Sequence, residues 1–383
     1  MKIGVLYPTP VPLSPANWSG SPHGIAMGLE ANGIDVVPIG AKLPFGVHQA
    51  VAVISRMTGK RGAVADRTLV RQYSRTIVLG RRLAEAASSL DGLIVMGLEM
   101  YDLEKIRPVG LPTATFDDGT LIQMWRNPDS DIRQSGFPEH EVERWFQRQE
   151  KSAKAASLVC VSTSYAARSF AEDYGVDEMR LRVVGMGHRP RSAPIDGFRD
   201  WSTPRFLFVG VDWQRKNGEA VLRAFRTVRQ YYPDATLDLI GRHRPIDEPG
   251  VNDHGFLARE DPESQALLDS LFAASTAFVL PSRYDLSPIS YLEAASAGLP
   301  VVASSEGGAG EVLGEAAIAV HPGDDAALSE AMLALADPAT AKRMGAKAAV
   351  AASVASWSHV AERIVEALGL DARATPTEAE VTR

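Results

Sequence analysis

At 383 residues the chain is longer than one hydrophobic core usually serves, so two domains are expected. Apolar residues at 45% and charged residues at 23% are ordinary globular values, and a formal net charge of −7 excludes a general attraction to nucleic acid. The single cysteine, Cys160, excludes a disulfide within the chain, and its apolar surroundings at 157–162 read as a buried strand thiol rather than a nucleophile.

Residues 1–7 are too short for a signal-peptide core and are followed by four prolines, and no later apolar run approaches ~18 residues. A cytoplasmic protein is expected.

In chain order, short apolar runs rich in β-branched residues fall at 3–7, 34–39, 92–96, 158–161 and 181–184, with helical stretches between them. That alternation predicts βαβ units and a parallel sheet. Segment 42–82 carries nine Lys or Arg against one acid, Asp66. It fits a solvated helix face, or an arm reaching toward anionic lipid or acceptor phosphate, with peripheral contact at the inner membrane face.

A proline-rich polar stretch at 189–204 interrupts the pattern, which restarts at 206–211 and continues at 235–241, 277–281, 299–304 and 316–320. The fold class expected is α/β: two facing Rossmann-like, doubly wound parallel-sheet domains, at 1–190 and 204–350. Trp357, Val360, Ile364 and Leu368 recur at helical spacing, so 351–370 is read as a helix, and the polar end 371–383 as a disordered tail.

The stretch from 281 to 304 is the most informative. Ser287 suits an N-cap, Pro288 the first helical position, and Gly298 the left-handed position past the helix end, which predicts a helix over 288–297. Its N-terminus follows a strand end, where open α/β sheets place their ligand crevice, so backbone N–H groups of Ser287, Ile289 and Ser290 would face an anion. Asp285 and Glu293 flank that position, and carboxylates there suit sugar hydroxyls rather than phosphate. Arg215 and Lys216, in the loop after the strand at 206–211, supply cations for a diphosphate without a metal. A nucleotide-diphosphate sugar satisfies all three elements together.

Three stretches now resemble a known family: Phe206-Leu-Phe-Val-Gly-Val-Asp-Trp-Gln-Arg-Lys-Asn-Gly218, the run from 281 to 304, and Glu306-Gly-Gly-Ala-Gly-Glu-Val312. Their order and spacing resemble the retaining glycosyltransferases of glycosyltransferase family 4 (glycosyl transferases group 1), which have the GT-B fold. The resemblance implies an acceptor-side first domain, a donor-side second domain, and a C-terminal helix packing back across them.

Asp285 and Glu293 resemble the family's two acids with seven residues between, the first a sugar-hydroxyl ligand and the second a ribose ligand. The first is commonly Glu; Asp is shorter by one methylene, which moves the carboxylate by roughly 1.5 Å and alters which hydroxyl it reaches. Lys216 looks like the diphosphate lysine. Val211 stands where many members carry an arginine after the strand glycine, here Gly210, and Arg215 supplies that charge instead. Backbone groups of Leu286, Ser287, Pro288 and Ile289 complete the donor set. Trp18-Ser-Gly-Ser-Pro22 looks like the glycine-rich loop of the first domain, with Gly20 its donor-facing residue. Asn252-Asp-His-Gly-Phe256 resembles the segment along the nucleotide base, through His254 and Gly255. Many members contact the donor sugar with a first-domain histidine; here Asp118 takes that place.

Other chemistries find less support. Asp129-Ser-Asp131 fits a metal-binding D-x-D pattern but follows Asn127-Pro128 in a polar loop. No G-x-G-x-x-G follows the first strand, no G-x-S-x-G is present, and the eight histidines lack paired metal spacing. The expectation is a metal-independent, cofactor-free hexosyltransferase moving sugar from a UDP- or GDP-sugar to a hydroxyl acceptor, whether polysaccharide, lipid or small metabolite. The catalytic group would be Arg215, Lys216, Asp285 and Asp118, with retention by front-face transfer. A catalytically silent nucleotide-sugar binder, or a phosphorylase or epimerase of the same fold, is the alternative.

Overall fold

A computed structural model describes residues 1–44, 46, 47, 49, 50, 53, 68–191 and 199–370. The first half holds strands β1 (Lys2–Leu6), β2 (Asp35–Ile39), β3 (Gly92–Val95), β4 (Thr113–Asp117), β5 (Leu158–Val161) and β6 (Leu181–Val183). They form one six-stranded sheet in the order β2-β1-β3-β4-β5-β6, every pairing parallel. The second half repeats the plan with β7 (Arg205–Asp212), β8 (Thr236–Arg242), β9 (Val251–Asp253), β10 (Ala277–Val279), β11 (Val301–Ser304) and β12 (Ala317–Val320), ordered β12-β11-β10-β7-β8-β9. The α/β, doubly wound fold expected from the alternating runs is the one observed.

In each sheet the chain order reverses beside the first strand, between β1 and β3 and between β7 and β10. Loops leaving the carboxyl ends of those strands therefore splay apart and open a crevice. Central strands β1, β3, β4 and β5 are almost wholly buried, as strands covered by helices on both faces must be.

The described helices of eight or more residues are α1 (Ser21–Ala31), α2 (Leu69–Ala86), α3 (Glu139–Ala155), α4 (Ser164–Glu172), α5 (Gly218–Tyr231), α6 (Pro262–Ala274), α7 (Ile289–Ser296), α8 (Asp325–Ala336), α9 (Pro338–Ser353) and α10 (Trp357–Ala367). Helix α10 returns from the second sheet to pack on α1. Two glycines of α1 permit this: a Cβ at Gly24 would lie 2.2 Å from the Trp357 ring, and one at Gly28 would lie 2.2 Å from the Trp357 carbonyl oxygen. Asn32 Nδ2 donates to Ser358 O at 2.9 Å, and Arg363 Nη1 donates to Val184 O at 2.6 Å. Val360 and Ile364 are fully buried, in the same apolar cluster as Ile25 and Phe116 of the first half and Ile289 of the second.

Three details depart from the sequence reading. β4 and β9 are strands the apolar runs do not announce, because Thr113 and Thr115 interrupt a strand that is nonetheless fully buried, and β9 is a three-residue edge. The helix at 289 begins one residue late: Pro288 is its N-cap, with no side-chain cap hydrogen bond. Ser287 therefore does not cap; its hydroxyl is bonded to the Ser162 hydroxyl at 2.5 Å, across from the first sheet. Cys160 lies buried on β5, and burial pushes its thiol up to about 12. The tail 371–383, residues 192–198 of the proline-rich stretch and much of the basic segment 42–82 lie outside the described residues.

Candidate active site

The loop after β7 turns tightly, with Lys216 N donating to Asp212 O at 2.8 Å and Arg215 N to Asp212 Oδ1 at 3.1 Å. Asn217 closes it in a left-handed conformation at φ 62°, one that Asn tolerates better than most residues. The turn folds Lys216 back under Gly210, where an added Cβ would come within 2.9 Å of the lysine's own Cβ. Gly210 is thus needed for space at the turn.

That geometry aims both cations at the loop after β10. Lys216 Nζ donates to Asp285 Oδ2. Arg215 Nη1 stands 3.6 Å from the same oxygen and donates to Tyr284 O at 3.2 Å. Burial holds the Lys216 ammonium below its ordinary pKa, against the pull of Asp285 in the other direction. The loop is braced from behind by the 306–312 stretch: Gly308 N donates to Asp285 O at 3.1 Å. A Cβ at Gly307 or Gly308 would lie 2.2 Å from the carbonyl oxygen of Asp285 or Leu286 respectively. Leu286 reaches the first domain, filling the space above Gly119.

Glu293, one turn into α7, is buried and paired. Its Oε1 accepts from Arg191 Nη2 at 3.1 Å, and the two side chains are 5% and 4% exposed. Arg191 also donates to Asp269 Oδ1 at 2.7 Å and Gln265 Oε1 at 3.2 Å on α6. Arg191 sits in the stretch read from sequence as a boundary, so its role was missed; an arginine directly after Pro190 was the only signal.

His254 and Gly255, both partly buried, are bonded to groups of β8 and of their own segment. His254 Nε2 is bonded to Asp238 Oδ1 at 2.7 Å, Gly255 N donates to Asp253 Oδ1 at 2.9 Å, and Gly255 O accepts from Gly241 N at 2.8 Å. These groups serve the β8–β9 edge.

In the first domain, Trp18 (φ 38°), Ser19 (φ 55°) and Gly20 (φ 89°) run consecutively through the left-handed region. Two of the three carry side chains, so the loop is strained, a feature that gathers at ligand-binding sites. It is clamped from the second domain by Arg259 Nη1, which donates to Ser19 O at 2.8 Å. Asp118 follows β4, and its carboxyl is raised to about 7, first by burial and then by the Asp285 charge. Its neighbour Asp117 is 6% exposed, with Oδ2 lacking a hydrogen-bond partner, and burial followed by the Glu99 charge raises it well above the usual range.

Two cavities meet at this loop. One, of about 460 Å³, is lined by Asp117, Asp118, Arg215, Tyr284, Asp285 and Leu286 among others; a second, of about 520 Å³, is lined by Gly20, Arg189, Arg191, Arg259, Ile289 and Glu293 among others. Ser19 lines both. Both volumes are in the range of small-molecule sites. The predicted donor residues thus divide, with Arg215, Asp285 and Leu286 on one cavity and Gly20, Ile289 and Glu293 on the other.

Among the described residues no three His, Cys, Asp or Glu are grouped to hold a metal ion. Asp129 and Asp131 are separated in role: Asp129 lies 3.8 Å from Arg283 Nη1, while Asp131 lines the first cavity. No described helix is long and apolar enough to cross a membrane.

Residues 203–337 match the family model described as Glycosyl transferases group 1. A glycogen synthase of Mycobacterium tuberculosis is 30% identical over 226 residues, 53% of this chain and 50% of its own length, so the chain spans about half the length of the first curated relatives it matches. Among solved structures, a sucrose-phosphate synthase from Thermosynechococcus elongatus superposes with a TM-score of 0.66 at 15% identity, covering 96% of this chain and 98% of its own. The Anabaena protein HepE, solved in complex with UDP and glucose, gives 0.60 at 16% identity and covers 96% and 99%. The group 1 resemblance read from the second half is borne out, and the fold is GT-B.

Proposed function

We propose that the protein is a retaining, metal-independent glycosyltransferase of family 4 that takes a hexosyl group from a UDP- or GDP-sugar to a hydroxyl acceptor. The observation that carries this reading is the convergence of Lys216 and Arg215 on Asp285 at the mouth of the crevice. A sugar hydroxyl suits Asp285, and the departing diphosphate suits the two cations beside it. The nucleoside end would run past Ser19 into the cavity lined by Arg259, Arg189 and Glu293.

Transfer would proceed on the front face of the sugar, with a donor phosphate oxygen receiving the acceptor proton. Charge grows on the diphosphate as the glycosidic bond lengthens, and Lys216 and Arg215 stabilise it where water is excluded. Glu293 takes the ribose hydroxyls once Arg191 yields part of its hold.

The reading includes a location at the inner membrane face. Supporting it, Leu69, Tyr73 and Ile77 form an exposed apolar stripe on α2 that ends at the exposed Arg81. Co-sedimentation with anionic vesicles, reduced by Tyr73→Glu, tests that part.

The donor assignment is tested by thermal shift of the full chain with UDP-, GDP-, ADP- and dTDP-sugars without metal. Stabilisation of the wild type by one nucleotide sugar, with its slow hydrolysis lost in Lys216→Ala and Glu293→Ala, supports it. No response to any donor overturns it, and stabilisation without turnover on any acceptor favours a silent binder.

A further inference from the structure

The two cavities are sorted by charge. Around the second stand Arg189, Arg191 and Arg259, with Glu293 as the one carboxylate among the described lining residues. The first is lined by Glu99, Asp117, Asp118, Asp131 and Asp285, with Arg215 as its only described cation, and that cation is committed to Asp285. The nucleoside end of a donor is favoured in the basic cavity, with its diphosphate reaching only the mouth at Arg215 and Lys216, and the rest of the acidic cavity is left for a different ligand.

At the end of the acidic cavity contributed by the first domain, Asp117 presents a carboxylate oxygen that no group of the protein satisfies. The side chain is 6% exposed, so water does not compensate it as it would at a surface. Buried Glu99 and partly buried Asp118 line the same space. Burial and its acidic neighbours favour the protonated form of Asp117, and with one of its oxygens unpartnered in the cavity wall the group calls for a ligand whose positive charge lets it ionise and pair.

We infer that the acceptor carries a protonated amine, an amino sugar or aminocyclitol, held with its ammonium on Asp117 and Glu99 and its reacting hydroxyl toward Asp285. This rests on the transferase reading, in which the donor sugar lies at Asp285 and the remaining cavity belongs to the acceptor. The acidic wall also excludes phosphorylated acceptors by like-charge repulsion, so one set of residues both selects and rejects. Asp117 and Glu99 are binding groups in this account and touch no reacting atom.

The experiment is calorimetric titration of the full chain, saturated with the nucleotide that stabilises it best, using a panel of amino sugars and aminocyclitols. Each amine is paired with its N-acetyl derivative, and glucose 6-phosphate is added as an anionic probe. Expected is binding of at least one amine ~10-fold or more tighter than its N-acetyl partner, with no binding of glucose 6-phosphate. That preference falls to near parity in Asp117→Asn and in Glu99→Gln, while nucleotide affinity, which reports folding and the donor side, stays as in the wild type. Equal or better binding of the N-acetyl compounds, binding of no amine, or a preference that survives both substitutions overturns the inference. Loss of nucleotide binding by the wild type would strike the transferase reading instead.

Discussion

The Lys216 ammonium is hydrogen-bonded to the Asp285 carboxylate, although the two belong to loops from different strands, and Arg215 stands 3.6 Å from the same oxygen. Asp285 thus offsets part of the charge of the two cations. In the function proposed above, a donor that presents a hydroxyl to Asp285 and a diphosphate to Lys216 would replace that contact with two, one at each end of the scissile bond.

Replacing Lys216 removes the group best placed for the developing charge. Lys216→Ala is expected to lower the rate of donor turnover at least ~100-fold, with a smaller effect on donor affinity. Initial-rate measurements that separate kcat from KM check it.

Buried Glu293 depends on Arg191 for its counter-charge. Arg191→Ala leaves an unpaired buried carboxylate and is expected to cost about 3–5 kcal/mol, whereas the double change Arg191→Met with Glu293→Gln recovers most of that. Urea unfolding of the three proteins decides it.

Asp118 gives stability a definite pH dependence. Its folded-state carboxyl is raised from 3.8 to about 7, so between those values the folded protein binds more protons than the unfolded chain, and stability falls as pH rises through that window. Asp117, also raised, acts with the same sign. The exposed Asp200 and Asp337 and the half-buried Asp261 are lowered and contribute in the opposite sense, but only at more acid pH. Melting temperatures should therefore decline from pH 5 to pH 7.5, and Asp118→Asn should flatten that decline.

The architecture makes a structural prediction as well. Gly28 gives passage to the Trp357 backbone, and a methyl there would overlap a carbonyl oxygen. Gly28→Ala is expected to destabilise by ~1–3 kcal/mol through overpacking. Faster amide exchange over 357–367, without matching change in the second sheet, would show that α10 is what moves.

Much of the fold could be read from the chain because central strands such as Ile3–Leu6 and Phe206–Val209 are apolar runs set between helical stretches. β4 hid because its threonines are polar by type yet buried by position, and the sheet, not the side chains, sets that burial. Lys216, Asp285 and Glu293 were legible because spacing along a loop or helix turns directly into proximity. Arg191, Arg259 and the Asp117 wall were not: Arg191 and Arg259 act on partners far away in the chain, and Asp117 meets Glu99 only because the ends of β3 and β4 lie side by side in the first sheet. Ser287 shows the same limit, since a serine before a helix reads as a cap, and only the presence of Ser162 opposite gives its hydroxyl a different partner.

The most direct measurement is slow hydrolysis of the stabilising nucleotide sugar, followed by proton NMR without added metal. The account predicts release of sugar whose first-formed anomer keeps the donor's configuration, with the signal abolished in Lys216→Ala. A first-formed anomer of inverted configuration, hydrolysis unaffected by Lys216→Ala, or no turnover of any nucleotide sugar with or without an acceptor would contradict it.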